Sequence, residues 1–283
     1  VDTNAKVPRL KANLTSSYID LADFTGLYGA KPAAASGPAK PPDPGGRVLP
    51  DAAIAVSKLP GLNADLSFDA ARIKSTGGLP FERVSLELQL KDGELTVKPL
   101  RFHAAQGDVD LNLHFTPFTK NTPPRMHAEI DVRHIDLRPL LDQPSMPAML
   151  RQTAGTVGGF VKIDTTGVSP REFLARMEGD AGFVMQDGQL SQLLERLAPI
   201  DVLGALGVYV RGDKPIQIHC LVSRFDIKTG VATATTLLLD TDQTTVAGKG
   251  NINFADETLF LNFTPYNKSF TCLLYTSDAA DDL

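Results

Sequence analysis

The side chains able to do chemistry are few and far apart. Five histidines, His103, His114, His127, His134 and His219, are scattered along the chain. None stands four residues from another, the spacing that would put two imidazoles on one helix face, and no HExxH motif is present. His219 and Cys220 are adjacent, so in a strand they face opposite ways, a poor geometry for a Cys–His nucleophile. Cys220 lies at alternate spacing with Ile218 and Val222 and reads as a small buried hydrophobe. Asp240-Thr241-Asp242 could hold calcium, but at a strand end such a cluster reads as a solvated turn. Gly248-Lys249-Gly250 sits in an alternating segment with no Walker pattern after it, so it is not a phosphate loop. Glycines there mark either a bulge with close backbone approach or a bend that curves the sheet. The expectation is no catalytic residue, no metal site and no cofactor.

The segments carrying these groups alternate with period 2. Val84, Leu86, Leu88 and Leu90 interleave with Ser85, Glu87 and Gln89 and end at Asp92-Gly93, a hairpin signal. Leu95, Val97, Leu100 and Phe102 lead to a turn at Gln106-Gly107-Asp108. Val109, Leu111, Leu113 and Phe115 repeat the pattern, as do Ala128, Ile130 and Val132, then Val161 and Ile163. Ala181, Phe183 and Met185 run into Asp187-Gly188. Ile216 to Val222, Phe225 and Ile227, Leu237 and Leu239, Val246 to Phe254, and Leu259 to Phe263 complete the series. Roughly a dozen strands joined mainly by short turns predict an antiparallel meander.

Helices are few. Asp136–Leu141 and Pro147–Gln152 can each form a short one. Ser169-Pro170 supplies an N-cap and a first-position proline for a helix through about Met177. The longest is expected over residues 191–206, where Leu193, Leu194, Leu197, Ile200, Leu203 and Leu206 make an apolar stripe that Pro199 kinks.

Residues 9–19 read as the end of a strand, followed by a turn of helix over 20–28; together, residues 1–28 read as the end of a preceding module. GAKPAAASGPAKPPDPGG, residues 29–46, is the centre of a flexible linker over 29–52, too poor in large apolar side chains to fold. The main β-domain then occupies residues 53–271. Residues 272–283 resemble translated read-through of a sequencing adapter and are set aside, which leaves Cys220 without a disulfide partner. Hydrophobic residues make up 42% of the chain and charged residues 22%, enough for a folded core. A net charge of −5 without a basic stripe gives nucleic acid no electrostatic footing. No apolar run long enough to span a bilayer is present, so any anchor is expected outside this sequence.

Several phrases in order resemble the C-terminal region of the AsmA family. They are Leu90-Lys91-Asp92-Gly93-Glu94-Leu95 with Lys98-Pro99-Leu100, Met177-Glu178-Gly179-Asp180-Ala181-Gly182, and Asp187-Gly188-Gln189-Leu190. Ile218-His219-Cys220, Phe225-Asp226-Ile227-Lys228-Thr229-Gly230, Leu239-Asp240-Thr241-Asp242 and Gly248-Lys249-Gly250-Asn251-Ile252-Asn253-Phe254 follow. The resemblance covers about residues 53–270, and its usual continuation after Pro265 and Lys268 is replaced by the adapter-like tail. It implies a periplasmic protein tethered to the inner membrane by an N-terminal helix and engaged in outer-membrane biogenesis. That covers handling of phospholipid and assembly or targeting of outer-membrane proteins. It also implies a long curved sheet whose concave face is an apolar groove.

The residues themselves imply only a sheet with one apolar face. A second sheet could close over it, or it could stay open to the 191–206 helix and to lipid chains. Each buried CH₂ contributes about 0.8 kcal/mol, so a chain of about 16 carbons could gain roughly 10 kcal/mol. A dry aliphatic core gains as much, so energy does not choose between them. The residues expected on the inward face are Leu86, Leu88, Leu90, Leu111, Leu113, Ile218, Leu259 and Leu261. Expected partners are phospholipid acyl chains, the inner membrane and envelope proteins. The rival expectation is a closed β scaffold that binds proteins by edge-strand pairing.

Overall fold

Alternation becomes strand throughout the segments where it was read. The computed structural model of the 283-residue chain describes residues 7–20, 61–74, 81–117, 122–143, 153–190, 216–242 and 244–267, with positions 49, 146 and 151 besides. Strands β1 (Arg9–Ser16), β2 (Ile19–Asp20), β3 (Asn63–Ala70) and β4 (Ile73–Lys74) come first. They are followed by β5 (Phe81–Lys91), β6 (Glu94–Ala104), β7 (Gly107–Thr116), β8 (Arg125–Asp136) and β9 (Ala154–Thr166). The last five are β10 (Glu178–Leu190), β11 (Ile216–Lys228), β12 (Val231–Thr241), β13 (Thr244–Asn253) and β14 (Thr258–Asn267).

Twelve of these strands form one sheet in the order β1-β3-β5-β6-β7-β8-β9-β10-β11-β12-β13-β14. From β3 onward every neighbour is antiparallel, as short turns require. The sheet is not closed: among the described residues β1 and β14 are its two edge strands. The closed scaffold is therefore corrected to an open sheet. β1, which precedes the Pro-rich segment in sequence, pairs in parallel with β3, and β2 with β4 continues that pairing.

The turn chemistry explains the meander. Asp92 and Gly93 have φ of 52° and 87°, the left-handed pair that a two-residue hairpin demands. Thr229 and Gly230, at 49° and 71°, do the same between β11 and β12. Asp187-Gly188 behaves differently: Asp187 takes φ 49° inside β10, where pairing with β9 slips by one residue, and the strand runs on to Leu190.

Two helices are present among the described residues, α1 (Leu137–Leu141) and α2 (Pro170–Ala175). Ser169 caps α2 by accepting from the Glu172 amide, with Pro170 in the first turn, and the helix stops at Ala175, short of Met177. The segments 20–28, 147–152 and 191–206, read as helical, lie outside the described residues save positions 20 and 151.

Gly250 settles the role of its glycine pair. Its φ is +144°, and a Cβ there would strike the Phe260 carbonyl oxygen on β14, so close backbone approach dictates the residue. Gly250→Val is expected to destabilise the chain by about 1–3 kcal/mol. The same change at exposed Lys249 should stay within about 0.5 kcal/mol. Urea midpoints compare the two, and equal midpoints would contradict the close approach.

Candidate functional site

Pairing register joins the separate alternations into continuous rows. One row crosses β3 to β9 as Leu66, Leu88, Val97, Leu113, Ala128 and Ile163. It continues over β10 to β14 as Gly179, Ile227, Ala232, Ile252 and Leu259. A neighbouring row holds Phe68, Leu86, Leu100, Leu111, Ile130, Val161, Ala181 and Phe225. Residues paired across adjacent strands share a face, so the rows form one apolar floor. At about 4.8 Å per strand, it is on the order of 50 Å long.

The floor survives places where alternation fails. Val97 and Leu100 are an odd number of residues apart, as are Val132 and Ile135, and Ala234 and Leu237. At each the register slips by one residue. The extra residue is a bulge, and it returns both apolar side chains to one face.

Exposure varies within the rows. Leu66, Leu86, Leu88, Leu111, Leu113 and Ile130 on β3 to β8 are half-buried, whereas Val97 and Ala128 beside them are buried. Met177, Ala181, Ile227 and Ala232 are buried, with Leu174 of α2, Ile163 and Ile252 packed against them. α2 thus packs through Leu174 against the floor of β9 to β13.

The opposite face is polar. Arg9 meets Asp65 at 2.6 Å, Arg133 meets Asp110 at 2.7 Å and Arg224 meets Asp180 at 2.9 Å. His103 meets Asp108 at 2.9 Å and His127 meets Asp164 at 3.2 Å. His219 meets Asp242 at 2.8 Å. These pairs tie neighbouring strands across the solvent-facing side. A short apolar row, Val184, Val222, Leu238 and Ala247, interrupts this face. Among the described residues no group of three or more His, Cys, Asp or Glu converges on a metal-sized site.

The sequence matches the AsmA family over residues 2–237. The chain belongs to the AsmA family. Of curated proteins, the AsmA family protein YhjG of Escherichia coli strain K12 is 25% identical over 279 residues, covering 95% of this chain and 40% of that protein. The chain therefore spans about two-fifths of that relative's length. No solved structure matches. The family match begins well before residue 53, where the resemblance was read to start, and takes in β1 and the Pro-rich segment.

In this AsmA-family chain, Leu88, Leu113 and Leu259 fall in the first row, and Leu86 and Leu111 in the second. Leu90 pairs with Ala64 and Leu95 in a third row and is buried. Leu261 pairs with Gly250 on the face that carries Leu259. Leu259, on the free edge strand, is 65% exposed. Ile218 is 2% exposed and sits beside Met185 across Gly188, away from the open part of the floor. Sequence reasoning passed over Ile163, Ile227 and Ile252 as contact residues, although alternation had marked all three. It read α2 from Ser169-Pro170 but not its place on the sheet, because nothing in a six-residue helix announces which face it will cover.

Cys220 corrects an expectation. It is buried and disulfide-bonded, so it is not a lone thiol. Setting aside residues 272–283 had removed the chain's other cysteine from consideration. Asp240 is buried and accepts from Thr245 Oγ1 at 2.8 Å, while Thr241 bonds the Thr244 backbone, so this cluster closes the β12–β13 turn.

The Gln89 amide, with the Arg9 guanidinium, holds the Asp65 carboxyl below its ordinary value of 3.8. Because folding lowers this pKa, the stabilisation is complete above the unfolded carboxylate range and is lost as pH falls through the folded value. Gln89→Ala is expected to move the Asp65 titration up toward 3.8, read by carboxyl-carbon NMR. The stabilities of the two proteins should converge in acid; an unmoved titration would deny the row its polar tie.

Proposed function

We propose that this AsmA-family chain is a non-enzymatic module of a bacterial envelope protein that shields phospholipid acyl chains on an open apolar floor. It would work in the periplasm, held to the inner membrane by an anchor outside the described residues, in support of outer-membrane biogenesis. No helix among the described residues is long and apolar enough to cross a membrane.

The observation that carries this reading is the half-buried floor of β3 to β8. A soluble sheet ordinarily covers its apolar face with a second layer. Here Leu66, Leu86, Leu88, Leu111, Leu113 and Ile130 stay accessible in aligned rows, which is the shape of surface a hydrocarbon chain occupies. At about 0.8 kcal/mol per buried CH₂, contact with half of an acyl chain stabilises the complex by several kcal/mol. The role needs no bond chemistry, and His103, His127 and His219 already face carboxylates across the strands or at their ends.

One observation favours a second reading, partner binding through strand addition. Large exposed hydrophobics gather on the free edges: Leu10 and Leu14 on β1, and Leu259, Phe260 and Tyr266 on β14. Exposed edges of this kind accept another strand.

Delipidated protein mixed with vesicles of a fluorescent phospholipid is expected to extract it into the soluble fraction. Leu88→Asp should cut extraction about tenfold, equivalent to about 1.4 kcal/mol. Glu87→Lys, on the opposite face of the same strand, should leave it unchanged. Equal extraction by both variants would overturn the floor as the binding surface; no extraction by any form would favour edge pairing.

A further inference from the structure

We propose that β1 is an exchangeable strand: it guards the outer edge of β3, and that edge also accepts an extended partner segment whose basic side chain meets Asp65. The proposal rests on the strand-addition reading above and adds to it the site, the class of ligand and the guard.

Connectivity sets β1 apart. Every neighbouring pair from β3 to β14 is antiparallel, whereas β1 runs parallel to β3 and is joined to it through residues 17–62. Parallel neighbours cannot share a hairpin. In the twelve-stranded sheet, β3 is the one neighbour of β1 among the described residues. Releasing β1 therefore breaks a single ladder, where releasing an interior strand breaks two. Only the short β2–β4 pairing continues its contact. β1 thus sits on β3 as a separate segment would.

Burial and bonding agree. Arg9, Leu10, Lys11, Asn13, Leu14 and Thr15 of β1 are all exposed, so little side-chain burial holds the strand. Ala64 and Ala70 of β3 are buried. The backbone does most of the holding: the Asn63 amide donates to the Pro8 carbonyl at 2.9 Å and the Ala71 amide to the Ser16 carbonyl at 3.0 Å. Ladder bonds of this kind give affinity, and side chains must supply the selectivity.

One carboxylate supplies it. The Arg9 guanidinium donates twice to Asp65 Oδ2, at 3.1 Å and 2.6 Å. Gln89 of β5 donates to Asp65 Oδ1 at 3.0 Å. Asp65 is thus oriented from the side away from β1 and keeps that tie when β1 leaves. Lys11 stands opposite Asp65 in register, and Leu10 and Leu14 align with Ala64 and Phe68 on the floor. The edge therefore reads a strand that is basic on one face and apolar on the other.

The test uses the whole chain and a fluorescent peptide of residues 7–20. Pro8 and Ser16 turn their carbonyls to β3, and Leu14, an even number of residues from both, turns its amide the same way. Leu14→Pro deletes that donor and should release β1. Fluorescence anisotropy should then show the peptide bound about tenfold or more tightly by this variant than by the unaltered chain, whose tethered strand excludes it. Adding Asp65→Lys should weaken binding several-fold, and Arg9→Glu in the peptide should recover it. Equal binding by the unaltered and Leu14→Pro chains would put the peptide elsewhere and overturn the exchange. Binding that ignores the charge at position 65 would overturn the selection while leaving strand addition at β3 intact. No binding by a folded Leu14→Pro chain would overturn strand addition at this edge as well. If circular dichroism shows that variant unfolded, amide exchange in the unaltered chain decides. The Asn63 and Ala71 amides are expected to exchange together with those of β1, about tenfold or more faster than amides of β7. Protection equal to that of β7 would mean that the guard does not open, and would overturn the proposal.

Discussion

Strand register is the constraint on which the rest of this molecule depends. Side chains alternate with a period of two, so a slip of one residue at any junction would turn the following strands inside out. The twelve strands avoid this by correcting the places where sequence spacing is odd. Lys98-Pro99, Arg133-His134 and Thr235 lie in one-residue bulges, and each brings Leu100, Ile135 or Leu237 back to the floor. The ion pairs on the other face reinforce the same choice. A slip would carry Asp65, Asp110 or Asp180 from solvent and its arginine into the apolar rows. Hydrophobic alignment on one side and charge alignment on the other therefore select a single register.

That register produces one apolar surface, part of which a helix packs against. Around α2 the floor is a conventional core: small Ala181 and Ala232 leave room for Leu174 and Met177, and Gly230 lets the β11–β12 turn approach the end of the helix. Over β3 to β8 half-buried Leu66, Leu86, Leu88 and Leu111 share the rows with buried Val97 and Ala128.

The strands, their approximate limits and their inward sets were legible because each depends on local chemistry. Alternation marked the strands, and Asp92-Gly93 and Thr229-Gly230 marked turns where left-handed backbone is needed. The Ser169-Pro170 signal placed the start of α2. Three features were not legible, each set by contacts distant in sequence. Asp187-Gly188 looks like a turn, and only pairing with β9 and β11 on both sides makes it a bulge. β1 looks like the end of something else, since the parallel partner that gives it a place, β3, lies beyond a Pro-rich segment. Cys220 has the pattern of an ordinary core residue, and alternation carries no information about its disulfide. For the site, the leucines of β5 and β7 could be named in advance, but not which stretch of floor would be covered.

The free edges complete the argument from register. An open sheet with exposed apolar edges is a liability unless the edges are used, and natural edges are commonly blunted by charge or proline. β14 carries Pro265 but also Phe260 at 67% exposure, so its protection is partial. β1 carries Leu10 and Leu14 in line with Ala64 and Phe68 of β3. One row, from Ala12 of β1 to Leu259 of β14, thus spans the sheet without a polar side chain. A strand added to either edge in register would prolong the same floor rather than begin another surface. Whether the occupant is an acyl chain along the rows or a strand beside them, one alignment of leucines, isoleucines and alanines sets the geometry of both.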